Sequence, residues 1–204
     1  MEIQNKNIAL IILAAGESKR MGQAKQMLQW KNTTLLGHCI EQAQNSLINH
    51  IYVVLGAQYT KIFNAHKHYK VNFINNRNWK EDLGQSIAFG VQHISSKNYD
   101  GVLLLLADQP QIKTDYINRM LEHLNLNTPI LATSYTKSIG VPVIFTKPYF
   151  ETLIQNTNAK GAKSILMNNK ASIKLLKTNN DIEDIDTYND YVSLYSRFHS
   201  TINR

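Results

Sequence analysis

Residues 8–14 read IALIILA, and they run without a break into Ala15-Gly16-Glu17-Ser18-Lys19-Arg20-Met21-Gly22-Gln23-Ala24-Lys25. The first half is almost continuously apolar and β-branched, the pattern of a strand buried on both faces of a parallel sheet. The second half changes character at once: small residues, a glycine, then a turn rich in cations. Gly16 and Gly22 let the backbone come close to a ligand and turn its N–H groups inward. Ser18 offers a hydroxyl, Arg20 a planar fork for phosphate oxygens and Lys25 a point charge. The spacing is neither that of a Walker loop nor that of a dinucleotide fingerprint, since Gly-x4-Gly-Lys-Ser/Thr and Gly-x-Gly-x-x-Gly are both missing.

Outward from this stretch, strand-like and helix-like segments alternate. Expected strands are 51–55 (IYVVL), 71–74, 101–107 (GVLLLLA), 129–133, 141–145 and 172–176; expected helices are 33–46, 85–94, 114–124, 148–155, 162–167 and 188–199. Pro142 argues that its strand lies at a sheet edge or begins late, and Thr114 is placed to cap the helix that it opens. Such alternation implies an α/β chain, a mostly parallel sheet with helices on both faces. Its ligands bind beyond the carboxyl ends of the strands. Two loops meet that description, one after Ala15 and one after Ala107. The second begins with Asp108-Gln109-Pro110, where a carboxylate at a strand tip suits a hard divalent cation such as Mg²⁺.

The 204 residues, 43% of them hydrophobic, are expected to form one domain over 1–204. A net charge of +7 and a pI near 9.4 suit an anionic partner. No dense basic block supports nucleic acid; residues 61–70, a mixed Lys/His stretch, read as a solvated helix or loop, with His66 and His68 on the surface. Cys39 is the one cysteine, which rules out an intrachain disulfide, and it reads as a buried structural thiol. The polar start at 1–7 and the short apolar run after it suggest neither a signal peptide nor a membrane span, so the expected location is the cytoplasm. No Gly-x-Ser-x-Gly elbow is present for serine-nucleophile chemistry.

The string from Leu13 to Lys25 resembles the L-A-A-G-x-S-x-R-M-G-x-x-K signature of the MobA-like nucleotidyltransferases, and within them the molybdenum cofactor cytidylyltransferases. Gln26-Met27-Leu28-Gln29-Trp30, Thr34-Leu35-Leu36, Ala107-Asp108-Gln109-Pro110, Gly140-Val141-Pro142 and Asn158-Ala159-Lys160-Gly161-Ala162-Lys163 extend the likeness. The resemblance implies a three-layer Rossmann-like nucleotidyltransferase fold. It also implies transfer of a nucleotidyl group from a nucleoside triphosphate to a molybdopterin-type acceptor, with Mg²⁺ as cofactor and pyrophosphate as leaving group. Ala15, where relatives that use guanosine triphosphate carry glycine, leans toward CTP. Leu13, Ala14, Ala15, Gly16, Ser18, Arg20 and Lys25 would bind the nucleotide, and a loop around Gly84, Gln85 and Ser86 would contact its base or ribose. Arg20, Lys25 and Asp108 would act in catalysis. Asp108 and, in the acidic stretch 181–186, Asp184 would hold the metal, with Asp186 the competing choice. A molybdoenzyme or its chaperone is an implied partner. Three alternatives stay open: a nucleotidyltransferase with another triphosphate or a sugar or alditol phosphate acceptor, a non-catalytic nucleotide-binding maturation partner, and a basic nucleic-acid binder supported by charge alone.

Overall fold

A computed structural model describes residues 6–136, 138–178 and 182–199. In chain order its strands are β1 (Ile8–Ala14), β2 (Gln29–Trp30), β3 (Thr33–Thr34), β4 (His50–Leu55), β5 (Asn72–Asn75), β6 (Gly101–Leu106), β7 (Ile130–Ser134), β8 (Ile139–Thr146) and β9 (Ile173–Lys177). Its helices are α1 (Leu35–Gln44), α2 (Tyr59–His66), α3 (Leu83–Ile94), α4 (Thr114–His123), α5 (Phe150–Gln155), α6 (Ala162–Asn168) and α7 (Tyr188–His199). Seven strands form one sheet in the order β5-β4-β1-β6-β8-β7-β9. β5, β4, β1 and β6 run parallel, β8 is antiparallel to both of its neighbours, and β7 pairs β9 in parallel. The fold is a three-layer, Rossmann-like α/β arrangement.

β1 shows why the sequence builds it. Leu10 and Ile12 point into one hydrophobic layer with Leu36 and Ile40 of α1 and Ile117 and Met120 of α4. Ala9, Ile11 and Leu13 point into the other, with Ile87 and Val91 of α3 and Leu153 of α5. Each fully buried Leu or Ile contributes about 1.5–3 kcal/mol, so the period-2 alternation is satisfied on both sides of the same strand. No helix among the described residues is long and apolar enough to cross a membrane.

Several expectations need correction. Pro142 is not at an edge, because β8 lies inside the sheet between β6 and β7. It is tolerated there because the β7–β8 register jumps from Ala132↔Val143 to Thr133↔Gly140. Val141 and Pro142 therefore bulge out of the ladder, and no N–H is required of the proline. Thr133 Oγ1 donates to the Pro142 carbonyl at 2.6 Å. The first helix starts two residues late, because a hairpin of β2 and β3 comes first and Thr34 caps α1, accepting from Gly37 N at 3.0 Å. Lys113, not Thr114, is the cap position of α4.

The Lys/His-rich stretch begins in a helix, α2, and His66 at its end is buried rather than on the surface. Its Nδ1 contacts the Ile62 carbonyl at 2.7 Å and its Nε2 the Thr34 hydroxyl at 2.6 Å. Burial lowers its pKa below the ordinary histidine value. Cys39 is buried between α1 and the end of β6, and burial together with the nearby Asp108 charge pushes its thiol up to about 12.

Candidate active site

The loop after β1 is held from two sides. Ala57 N–H, beyond β4, donates to the Ala15 carbonyl at 3.0 Å. From beneath, the amide of buried Gln26 donates to the carbonyls of Ala14 and Gly16 at 2.8 and 2.9 Å. Ser18 sits in the left-handed region (φ 60°), as does Gly22 (φ 66°). That conformation costs a serine roughly 1–2 kcal/mol. The Ser18 hydroxyl offsets part of this by accepting from Lys25 N–H at 3.2 Å, and its own O–H stays available to donate. A methyl group on Gly16 would meet nothing within 4 Å. Glycine at 16 therefore keeps space open where the loop faces the cleft.

Two residues past β6, Asp108 meets this loop. Lys25 Nζ donates to Asp108 Oδ2 and also to the Ile185 carbonyl at 3.2 Å, and it lies 3.8 Å from Asp186 Oδ1. The Lys25 and Asp108 side chains are only 20% and 13% exposed. Asp108 Oδ1 is buried and has no hydrogen-bond partner. Arg20 turns to Asp186, with Nη2 3.1 Å from Oδ2. The two candidates for a second acidic ligand thus differ: cations pair directly with Asp186, whereas Asp184 accepts from an uncharged amide, Gln109 Nε2, at 2.8 Å and feels the Lys25 charge from further off. Burial, and then the neighbouring Asp108 charge, raise the Asp184 pKa above the ordinary carboxylate value. Asp181, the first residue of that acidic stretch, lies outside the described residues.

No three of His, Cys, Asp and Glu among the described residues gather closely enough to cage a metal alone. Two carboxylates, one with an unpartnered buried oxygen, do fit a hard cation that takes its remaining ligands from water and phosphate. Here the ammonium of Lys25 neutralises the same charge.

Two clefts open on this cluster. One, of about 760 Å³, is lined by Leu13, Ala14, Ala15, Gly16, Ser18, Lys25, Ser86, Asp108 and Asp184, with Gln26, Trp79 and Leu83 among others. The second, of about 480 Å³, is lined by Gln109, Tyr135, Gly140, Lys160, Lys163 and Asp184, among others. They meet at Leu83, Leu106 and Asp184. Asp184 therefore borders both.

Arg20, Gly84 and Gln85 do not line the first cleft. The stretch 84–86 is also no loop: it forms the first turn of α3, which starts at Leu83. Gly84 is there for packing, because a Cβ would stand 2.3 Å from the Asn158 carbonyl oxygen. Ser86 is buried, and its hydroxyl accepts from Asn76 Nδ2 at 3.2 Å. Gln26, Gln109 and Tyr135 were not singled out for the site from the sequence. The Tyr135 hydroxyl donates to the Val141 carbonyl, and burial raises its pKa well above the ordinary phenol value. Gln26 and Gln109 each adjoin a singled-out cation or carboxylate, and that adjacency was the one local signal for them.

The MobA-like NTP transferase domain model matches residues 10–173. Purine catabolism protein PucB of Bacillus subtilis is 26% identical over 89% of this chain and 92% of its own length. Molybdenum cofactor cytidylyltransferase of Escherichia coli is 28% identical over 94% of this chain and 97% of its own length. Among solved structures, Rv0371c of Mycobacterium tuberculosis superposes with a TM-score of 0.84 at 23% identity, covering 94% of this chain and 98% of that one. Rv0371c has also been solved in complex with manganese.

Proposed function

The chain belongs to the MobA-like NTP transferase domain family, and on that premise we propose that it transfers CMP from CTP to the terminal phosphate of a molybdopterin-type acceptor. The family makes it a nucleotidyltransferase that uses a nucleoside triphosphate. The observation that carries the finer reading is the pair of clefts joined at Asp184, one under the glycine loop and one beside Lys160 and Lys163. Likeness to the Escherichia coli cytidylyltransferase over nearly the whole of both chains supports the choice of nucleotide and acceptor.

The triphosphate lies in the larger cleft. Backbone of Leu13, Ala14, Ala15 and Gly16 seats the base, and Ser86 in the first turn of α3 borders the base or ribose. The Ser18 hydroxyl, Lys25 and Arg20 serve the β- and γ-phosphates; Arg20 reaches them by leaving Asp186. The acceptor lies in the smaller cleft, its anionic end near Lys160 and Lys163. An oxygen of its terminal phosphate attacks the α-phosphorus in line. The bond from the α-phosphorus to the bridging oxygen of the β-phosphate breaks, and pyrophosphate leaves with that oxygen. Positioning and charge neutralisation supply most of the acceleration in such a transfer. Asp108 and Asp184 would hold Mg²⁺, which would supply charge neutralisation to the phosphates. Lys25 passes from Asp108 to the departing phosphates, so its charge is used in both states.

The test is to incubate the full chain with molybdenum cofactor, Mg²⁺ and each triphosphate in turn, following pyrophosphate and identifying the product. A cytidylylated cofactor is expected. Pyrophosphate release with another triphosphate, or only with a sugar or alditol phosphate, moves the reading to another member of the family. Tight triphosphate binding with no release for any acceptor replaces it with a non-catalytic role.

A further inference from the structure

We propose that Gln109 and Gln111, on either side of Pro110, are positioning residues for this transfer: they set where Asp184 stands relative to Asp108. The inference rests on the reading of Asp108 and Asp184 as the metal-holding pair.

Asp184 belongs to the segment 182–186, which has no helix or strand to fix it. Its place depends on individual tethers to the turn that follows β6. The Ile185 N–H donates to the Asp108 carbonyl at 3.1 Å. Gln109 Nε2 donates to the Asp184 carboxylate at 2.8 Å. The Gln111 amide, with its orientation assigned from its bonding, accepts from Glu183 N at 3.0 Å and donates to the Glu183 carbonyl at 3.3 Å. It so replaces the strand partner that the segment lacks. Both glutamines are buried, 4% and 5% exposed. The side chain of Ile185 anchors the same segment in the cluster of Met21, Leu28 and Trp30.

The chemistry explains why the tethers are amides. Asp184 carries the charge next to Asp108, and the two repel. A cationic partner on Asp184 would relieve that repulsion, but it would also compete with a divalent metal for the carboxylate. An amide N–H steadies the carboxylate through one oxygen and brings no charge. Gln111 does not touch Asp184 at all and acts through the backbone of Glu183. Partners in this outer position typically change metal affinity or activity by about 10–100-fold.

The experiment uses the full chain and the variants Gln109→Met and Gln111→Met, which keep side-chain length and remove the amide. Mn²⁺ binding in the presence of a non-hydrolysable CTP analogue is read by electron paramagnetic resonance. In parallel, turnover is titrated with metal, and amide exchange over 183–186 is measured without metal. We expect Mn²⁺ to bind about 10-fold more weakly in both variants. In Gln111→Met, which borders neither substrate cleft, turnover should fall at limiting metal and return to within about threefold of wild type at saturating metal, on the same reasoning about outer-sphere partners. Exchange should quicken in Gln111→Met. Mn²⁺ affinity within twofold of wild type in both variants, or a loss of kcat in Gln111→Met that excess metal does not restore, overturns the clamp. If wild type turns over while the variants keep its Mn²⁺ affinity, the clamp alone falls. If wild type binds no Mn²⁺ with nucleotide and releases no pyrophosphate with any triphosphate, the functional reading falls and the clamp with it.

Discussion

Replacing Lys25 by Met keeps the length of the side chain and removes one charge from beneath the glycine loop. What remains is Asp108 in contact with a neutral group, still close to Asp184 and Asp186. Unit charges about 4 Å apart attract by ~4 kcal/mol at an effective dielectric near 20. Loss of a partner costs about 3–5 kcal/mol when the surviving ion is fully buried, and an exposed pair is worth ~0–1 kcal/mol. With Lys25 and Asp108 at 20% and 13% exposure, this pair lies toward the buried limit, and the expected cost is about 2–3 kcal/mol. For a chain of this size that corresponds to a fall in Tm of about 4–12 °C. Thermal unfolding by circular dichroism at pH 7.5 measures it. The companion variant Lys25→Met/Asp108→Asn removes the stranded charge and should regain most of the loss. Millimolar Mg²⁺ should raise the Tm of Lys25→Met more than that of wild type, since a second cation then takes the place of the first. A single variant that melts within 1 °C of wild type, or a double variant no more stable than the single one, refutes the coupling of Lys25 to Asp108.

Asp108→Asn should lower turnover by about 100-fold or more, the scale of losing one partner to transition-state charge, with the fold intact by circular dichroism; activity near wild type removes Asp108 from the reaction. Asp184→Asn should raise Tm at neutral pH while it lowers turnover. The sign follows from the raised pKa of Asp184, caused by burial and then by Asp108. A carboxylate whose folded pKa exceeds its unfolded value near ~3.9 penalises the folded state above the folded pKa, and the penalty disappears as pH falls to the unfolded value. The Tm difference between variant and wild type should therefore narrow on acidification, and a difference that is flat or widens from pH 7.5 to 4 contradicts the assignment. Gly16→Ala should melt like wild type, because the new methyl group meets open space, yet raise KM for the triphosphate. Gly84→Ala should cost about 1–3 kcal/mol by overpacking, since its methyl group would stand 2.3 Å from a backbone oxygen; equal melting of the two variants would reverse the roles given to these glycines.

The parallel half of the sheet was legible because β1, β4 and β6 are buried on both faces, and that burial leaves unbroken apolar runs in the sequence. The far half was less so. Pro142 obeys the rule that a proline cannot serve a ladder, but it does so through a bulge in an interior strand, and nothing local separates a bulge from an edge. His66 carries the composition of a surface stretch, and its burial follows from Thr34 reaching it across 32 positions. At the site, the glycine loop and Asp108 stood out by residue type and by the strands they terminate. That Lys25 closes on Asp108 across 83 positions, and that Arg20 turns to Asp186, are matters of tertiary distance. Gln109 and Gln111 were hidden for a related reason: an amide has no titration or ligand signature of its own, and its meaning depends on what lies opposite.

The depth of Cys39 has a practical consequence. Its sulfur, on α1, faces the carbonyls of Leu106 and Ala107 where β6 ends, and a thiol with a pKa near 12 presents almost no thiolate at neutral pH. A maleimide should leave it untouched until the two elements part, so the rate of labelling would time their separation molecule by molecule. The same inertness would let a cysteine placed at the mouth of either cleft carry a fluorophore with the native thiol left in place. The protein thus holds a built-in clock for its own opening and a blank background for watching its substrates arrive.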